Sequence, residues 1–339
     1  MHRYSPIKFI SLACITLVVS LLCGLFSGAS DIPPSKIFGL FASGHMDMDH
    51  RILQMIRLPR VLLAALAGAC LASCGAVMQG LFRNPLADPS LIGVSSGASV
   101  GASCVIFFGG VSFIGSNLGL PAIAIGAFVG GLLATSVVYK LATSVSGTSV
   151  ATMLLAGIAI TALSGAVTSL FSFFADNEML RRISLWQMGN LDGADWPRVA
   201  AMALVAIPLI LVLPREGQAL NAILLGESEA RHLGIAVEKL KRRLILLTAL
   251  GVGVAVAVSG IVAFVGLMVP HLVRLLIGPD HRYLIPGSAI LGAALLLLAD
   301  TLARTLMSPA ELPTGVITAL LGAPFFVALL LQQRQKIVV

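Results

Sequence analysis

Long stretches without charged residues dominate the hydrophobic pattern of this chain. Asp, Glu, Lys and Arg are absent from residues 9–30, 61–82, 89–139, 141–175, 244–273 and 312–333. A transmembrane helix needs about 20 apolar residues, and charge, proline and glycine divide these stretches into segments of that length. The pattern predicts spans near 8–28, 61–82, 90–109, 117–139, 150–174, 198–213, 284–304 and 313–332.

The stretch 244–277 is too long for one ordinary span. Its uncharged part would form a helix of about 45 Å, against a hydrocarbon core of about 30 Å, so it is one long helix or two short ones broken near Ser259 and Gly260. With a cytoplasmic N-terminus, two helices place 14 of the 22 Lys and Arg residues inside, and one helix places 11 there. The positive-inside rule favours two. The sequence therefore predicts an all-α polytopic membrane protein with ten spans and both termini cytoplasmic.

The overall composition agrees with this assignment. The chain is 58% hydrophobic with a mean hydropathy of +0.99, and residues 1–339 are interpreted as a single transmembrane domain. The net charge of +7 is attributed to orientation in the membrane, not to nucleic-acid binding. The first 30 residues resemble a signal peptide, but their apolar stretch exceeds the usual core of about 7–15 residues, so we assign them to an uncleaved first span. The five cysteines lie in apolar runs and are expected to be packing residues.

A weak internal similarity relates two segments of the chain. "CGAVMQGL" (74–81) resembles "SGIVAFVGL" (259–267) with one insertion. If the second segment ran outward, the pair would form a weak inverted repeat of the kind found in transporters. Chance similarity among small and apolar residues is the alternative.

Motifs for autonomous chemistry are weak. The phosphate-binding loop requires a Gly-Lys pair, which the sequence lacks. An ion-coupled carrier would need an intramembrane acid, for which Asp300 is the candidate, although an ion pair with Arg304 four residues later explains it. "GVSSG" (93–97) matches the nucleophile elbow and would make Ser95 or Ser96 a nucleophile, but a helix-packing patch is favoured.

A polar segment at 214–243, between the sixth and seventh spans, is cytoplasmic in this topology. Leu220, Ile223 and Leu224 share one face of a short helix, which Gly226 is expected to break. A second short helix follows over 227–233. Two short helices across a break resemble a protein-docking surface, whereas composition alone favours a solvated loop with surface helices.

Four blocks of sequence resemble the FecCD-type permeases, the membrane subunits of ABC importers for iron-siderophores, haem and cobalamin. These blocks, in the family's order, are "IRLPRVLLAALAGACLASCGAVMQGLFRNPLADPSLIGVSSGAS" (56–99), "LLGESEARHLG" (224–234), "GLMVPHLVR" (266–274) and "ELPTGVITALLGAPFF" (311–326). The resemblance covers nearly the whole chain. It implies the type II ABC importer permease fold, a homodimer in the cell inner membrane and a transport subunit that is not an enzyme.

The resemblance also implies partners. Two cytoplasmic ATPase subunits would carry ATP and Mg²⁺, while this chain would bind no cofactor or metal. By this resemblance the segment 214–243 is a coupling loop, and 219–233 contacts the ATPase through Leu220, Ile223, Leu224, Gly226, Glu227, Glu229, Ala230 and Arg231. A periplasmic substrate-binding protein would dock its carboxylates on Arg57, Arg60 and Arg304. Anchoring of a helix end is the alternative for Arg57 and Arg60.

The pathway assignments follow from the same resemblance. A cytoplasmic gate is expected at Asn84, Leu86, Ser149, Val150 and Ala151, and a pathway wall of small residues at Gly157, Thr161 and Ser164. "RNPLADPSLIGVSSGAS" (83–99) and "SLWQMGNLDGADWP" (184–197) look most similar to haem permeases. Haem is therefore favoured slightly over a ferric siderophore, with cobalamin third.

Overall fold

The computed structural model describes residues 4–28, 48–114, 118–145 and 147–337. Within these residues the chain forms fourteen α-helices and one two-stranded antiparallel hairpin. The helices are α1 (Pro6–Phe26), α2 (Met48–Ile52), α3 (Leu58–Leu81), α4 (Val94–Ile114), α5 (Gly119–Ala142), α6 (Val150–Phe174), α7 (Asn177–Gln187), α8 (Trp196–Val212), α9 (Gly217–Leu225), α10 (Glu227–His232), α11 (Val237–Ser259), α12 (Val265–Ile277), α13 (His281–Thr305) and α14 (Thr314–Ile337). The hairpin pairs β1 (Thr143–Ser144) with β2 (Gly147–Thr148), and short turns of 3-10 helix lie at Pro89–Ile92 and Leu213–Glu216.

The helices confirm a multi-pass membrane protein. Seven helical segments are long and apolar enough to span a bilayer, namely Pro6–Phe26, Met48–Leu81, Gly119–Ala142, Val150–Phe174, Trp196–Leu225, Val237–Ser259 and His281–Thr305. Three further apolar helices are shorter, Val94–Gly110, Val265–Ile277 and Thr314–Leu329. Length and composition alone therefore support seven spans, and the count of ten stays a prediction.

The long apolar stretch after residue 244 is divided as the charge distribution predicts. Helix α11 ends at Ser259, and the following Gly260 has a φ of 67°. Gly260 also packs against the carbonyl of Trp186, where a Cβ atom would not fit. Helix α12 begins at Val265. The start of α11 was placed too late at 244. The helix extends to Val237 through two polar turns, in which Glu238, Lys241 and Arg243 have partners within the protein.

The two segments that resemble each other in sequence differ in secondary structure. Residues 74–81 lie within continuous helix α3, whereas 259–267 contain the non-helical linker between α11 and α12. The two segments instead touch, since Gly75 packs directly on the backbone of Gly266. The small residues that make the sequences similar are explained by this close helix contact.

Close packing of small residues also accounts for "GVSSG" (93–97). Gly97 and Gly101 of α4 lie against the backbone carbonyls of Gly130 and Gly126 in α5, with no room for a Cβ atom. The motif therefore lies at the start of a membrane helix that packs through glycine, as predicted, and not on a strand-turn-helix elbow.

Helices α3 and α13 form the antiparallel centre of the bundle and define its two ends. In the apolar window of the segment that contains α3, 83% of the residues are buried, against 22% for α6. At one end Gly80 contacts His281, and at the other Arg60 pairs with Asp300. Gly217 of α9 packs on the backbone of His281 and Arg282. The polar segment and the arginines are therefore at opposite ends of α3, which has 24 residues and a length of about 36 Å.

Candidate coupling, docking and pathway sites

The arginine end contains a buried ionic cluster. The Asp300 carboxylate accepts hydrogen bonds from Arg60 Nε at 3.0 and 3.1 Å and pairs with Arg304 Nε at 3.1 Å. The hydroxyl of Thr314 donates to the same carboxylate at 3.2 Å. Arg60 also pairs through Nη1 with Glu311 at 2.7 Å. The predicted pair of Asp300 with Arg304 is present, and Arg60 and Glu311 join it across the fold.

Two arginines of this end bind the last turn of α1. Arg57 donates to the carbonyls of Leu25 and Phe26 at 2.8 and 3.1 Å. Arg304 donates to the carbonyls of Gly24 and Ser27 at 3.1 and 3.2 Å. The last carbonyls of a helix have no partner within it and carry partial negative charge, so cations stabilise this end. Arg57 and Arg304 thus anchor a helix end, although it is the end of α1 and not of their own helices.

Burial qualifies the expected docking role of these arginines. Arg57, Arg60 and Arg304 are all buried within the protomer. Glu311 is the most accessible charge of the cluster, with 37% of its side chain exposed. A docking carboxylate would therefore approach Arg60 beside Glu311. Docking by the three arginines stays a prediction.

The polar segment at the opposite end folds as two short helices. Gly226, at a φ of 131°, separates α9 from α10, and Gly234, at 84°, follows the second helix, as the sequence predicts. Leu220, Ile223 and Ala230 are fully buried and anchor the pair, so they present no surface to a partner. Each helix end rests on a glycine conformation that other residues seldom adopt.

A hydrogen-bonded corner fastens α9 to the start of α13. Asn221 donates to Asp280 at 2.7 Å and accepts from the backbone N–H of His281 at 2.9 Å. Arg282 also bonds to Asp280 at 2.6 Å, and the hydrogen bonds from Arg282 hold the pKa of the Asp280 carboxyl down at about 2. This carboxylate stays charged throughout the physiological pH range, so the corner is insensitive to pH there.

The outer face of the two helices combines apolar and charged groups. Leu225 and Leu233 are 69% and 64% exposed, and Glu229 and Arg231 are also exposed. Leu224, Gly226 and Glu227 are partly buried. Leu225 and Leu233 are not among the contact residues expected from the sequence, because their exposure depends on which helix face is anchored. An apolar pair rimmed by charges is typical of a protein-docking surface.

Lys241 connects this segment to the hairpin. Its Nζ donates to Glu227 at 2.7 Å, to the carbonyl of Thr148 at 2.9 Å and to Glu238 at 3.1 Å. Glu238 also accepts from the backbone N–H of Thr148 at 2.9 Å. The three ammonium protons therefore each have an acceptor.

The predicted gate residues occupy two turns at the surface of the protomer. Asn84 and Leu86 are exposed, and the Asn84 side chain accepts from the backbone N–H of Leu86 at 2.9 Å, which stabilises the turn. In the other turn, exposed Ser149 caps α6 by accepting from the backbone N–H of Thr152 at 3.3 Å.

Both turns are continuous with elements that meet at the start of α6. Val150 and Ala151 form the first turn of α6, and Ala151 is exposed. The 3-10 turn Pro89–Ile92, which follows Leu86, packs against α6. The gate function itself stays a prediction, but the residues named for it belong to one packed region.

The predicted pathway residues on α6 divide into two groups. Thr161 and Ser164 line a groove of about 430 Å³, whose other polar residues are Ser96, Ser99, Thr168, Ser169, Ser172 and Gln187. Gly157 lies instead against the backbone carbonyl of Leu91, where a Cβ atom would not fit. Gly157 is therefore a helix-packing contact within the protomer, because close approach of the backbones requires glycine there.

Within the described part of the chain, no group of three or more His, Cys, Asp or Glu side chains is arranged to bind a metal ion. Nothing in that part contradicts the expectation that this chain binds no metal of its own, and the expectation remains untested.

Comparison with known proteins assigns the chain to a family. The model of the FecCD transport family matches residues 16–332. The hemin transport system permease protein HmuU of Yersinia pestis is 44% identical over 98% of each chain. The cobalamin import system permease protein BtuC of Halobacterium salinarum is 47% identical over 82% of this chain and 73% of its own. A solved metal-chelate type ABC transporter in an inward-facing conformation matches with a TM-score of 0.83 at 31% identity, over 96% of this chain and 99% of the other. This chain is therefore an ABC transporter permease and belongs to the FecCD transport family.

Proposed function

We propose that the chain is the transmembrane subunit of an ATP-driven importer that moves an iron complex from a periplasmic binding protein into the cytoplasm. The importer contains two copies of this chain and two ATPase subunits, which carry ATP and Mg²⁺. It lies in the cell inner membrane, each copy crosses ten times, and both termini are cytoplasmic.

The observation that carries this proposal is the exposed helix pair α9–α10. Its inner side is fixed by Leu220 and Ile223, while Leu225 and Leu233 face outward. Apolar side chains at the tip of a membrane protein, rimmed by Glu229 and Arg231, suit a soluble partner better than lipid. An ATPase bound at this end leaves the opposite, arginine end for the binding protein.

The groove on α6 supports a homodimer. Thr161 and Ser169 are exposed on a helix whose neighbouring residues are apolar. Some of these hydroxyls bond within the protomer, as Thr161 does to Ser96 at 3.3 Å, but a strip with this many polar groups suits water or another protein chain better than hydrocarbon. A second copy placed across α6 would enclose the groove as a polar pathway between the protomers.

Haem is the favoured substrate. This preference rests on the resemblance of residues 83–99 and 184–197 to haem permeases. Overall similarity does not separate the substrates, since the hemin permease is 44% identical over 98% of this chain and a vitamin B12 permease is 41% identical over 96%. A ferric siderophore and cobalamin are the alternatives. The ion-coupled carrier is disfavoured because Asp300, its candidate acid, is bound by Arg60 and Arg304.

Reconstitution tests the proposal directly. The tagged chain is purified with the ATPase and binding protein encoded beside it and placed in proteoliposomes, and uptake of haem, a ferric siderophore and cobalamin is measured with and without ATP. ATP-dependent haem uptake is expected. Uptake of another compound alone would change the substrate, and uptake driven by an ion gradient without the ATPase would refute the importer.

A further inference from the structure

The contacts of Lys241 suggest a role beyond holding α11 in place. The side chain is 2% exposed, and its three acceptors belong to three different elements: α10, α11 and the β-hairpin. The acceptor on α10 is Glu227, the first residue of that helix. A charge-assisted bond of 2.7 Å therefore joins the exposed helix pair to a residue that is itself bonded to the hairpin.

The hairpin is held through its backbone. Lys241 bonds to the carbonyl of Thr148, and Glu238 accepts from the N–H of the same residue. Across the hairpin the hydroxyl of Thr148 lies 3.1 Å from that of Thr143. Both backbone groups of one strand residue are thus fixed by side chains of α11, so a shift of Lys241 and Glu238 moves the hairpin directly.

The hairpin leads into α6 without an intervening loop. Ser149 follows Thr148 and caps α6, and its N–H donates to the carbonyl of Ala142 at 2.9 Å. The first turn of α6 therefore follows any displacement of Thr148. The chain of contacts runs from Glu227 through Lys241 to Thr148 and then to α6, which carries Thr161 and Ser164.

We propose that Lys241 is a positioning residue that transmits movement of α10 to the hairpin and to the start of α6, where it controls the opening of the pathway. This inference rests on the proposed function, since the movement of α10 is attributed to the proposed ATPase. Lys241 itself contacts neither the substrate nor ATP.

A matched set of variants tests the proposal. Glu227→Gln replaces the carboxylate that links α10 to Lys241 with a neutral amide and leaves Lys241 bonded to Glu238 and Thr148. It also weakens the exposed pair of Glu227 with Arg231, which are 3.8 Å apart. Lys241→Met removes all three bonds of Lys241 while retaining most of the side-chain volume, and the bond from the N–H of Thr148 to Glu238 remains. Glu216→Gln is the control, because the ion pair of Glu216 with Arg243, at 2.7 Å, also joins this segment to α11 but has no contact with the hairpin among the bonds described.

Two readouts separate transmission from assembly. The first is the number of substrate molecules taken up per ATP hydrolysed in proteoliposomes, and the second is the ATP-induced change in the distance between the hairpins of the two copies. That distance is measured between spin labels at Val145→Cys, an exposed position, in a background without native cysteines. Both readouts are compared only for complexes that assemble with the ATPase.

Among complexes that assemble with the ATPase, Glu227→Gln is expected to transport about tenfold less per ATP hydrolysed, with little hairpin movement, because a neutral amide is a weaker acceptor for Lys241 than a carboxylate. Lys241→Met should also lower transport per ATP and hairpin movement, and Lys241→Arg should recover part of both. The control Glu216→Gln should resemble the wild type in both readouts. If Lys241→Met does not fold, Glu227→Gln still decides. If Glu227→Gln shows wild-type coupling and wild-type hairpin movement, the role of Lys241 is overturned and the proposed function stands. Absence of ATP-driven uptake in the wild type would overturn the proposed function and this inference with it.

Discussion

Replacement of Asp300 by asparagine is expected to destabilise the protein strongly. The carboxylate is 1% exposed and receives hydrogen bonds or ion pairs from Arg60, Arg304 and Thr314. With Glu311 included, the cluster contains two positive and two negative charges. An amide at position 300 preserves the shape but leaves one buried positive charge without compensation.

The expected cost is about 3–5 kcal/mol in the free energy of unfolding, the range for breaking a buried ion pair by removing one partner. Glu311→Gln is the matched control, since it removes a negative charge from the same Arg60 at a side chain that is 37% exposed. Solvent screens that contact, so we expect about 0–1 kcal/mol there. Both values come from SDS titration of the purified chain in mixed micelles, followed by loss of helical circular dichroism.

A double-mutant cycle identifies the source of the loss. If the bond to Arg60 dominates, Asp300→Asn combined with Arg60→Gln should cost less than the sum of the single changes by about 0.5–3 kcal/mol. A loss for Asp300→Asn no larger than that for Glu311→Gln would refute this account of the cluster. A variant of full stability that transports nothing would instead favour a direct role of Asp300 in ion coupling.

Three further predictions concern other parts of the molecule. Gly157→Ala should lower the unfolding free energy by about 1–3 kcal/mol, whereas Gly165→Ala, with no atom near its added methyl group, should not; equal effects would contradict close packing at Gly157. Leu233→Ala should weaken ATPase binding, measured by microscale thermophoresis, by about threefold to tenfold, and exposed Leu204→Ala on α8 should leave it unchanged. Glu311→Gln should strengthen docking of the binding protein several-fold by removing a competitor at Arg60, and weaker docking would contradict that competition.

Local signals in the sequence were sufficient for most helix boundaries. Helix α6 was predicted at 150–174 and is observed there, because Ser149 caps its start and an uninterrupted apolar run follows. The breaks at Gly226, Gly234 and Gly260 were also predicted, since each has a positive φ that favours glycine. Helix α7 was missed because it is not apolar enough for a span, although Asp176 caps it.

Contacts between distant segments could not be predicted in the same way. The pair Asp300 with Arg304 follows from helix geometry, four residues apart, but the bond of Asp300 to Arg60 joins positions 240 residues apart. The environment of Lys241 was equally hidden, because one of its acceptors is the carbonyl of Thr148, a backbone group that every residue carries. Burial of Leu220, but not of Leu225, likewise depended on the packing of α9 against α13.

The two ends of the bundle differ in how their polar bonds are arranged, and this difference determines where movement can enter. At the arginine end the bonds join α1, α3, α13 and α14 to one another, and Arg60, Asp300 and Arg304 are buried within the protomer, so displacement there would expose several charges at once. At the opposite end the side chain of Lys241 joins an exposed helix pair to a two-stranded hairpin. Rearrangement of one junction is less costly than rearrangement of a buried cluster. The proposed ATPase therefore binds at the end of the molecule where a small shift can reach α6 while the bundle stays intact.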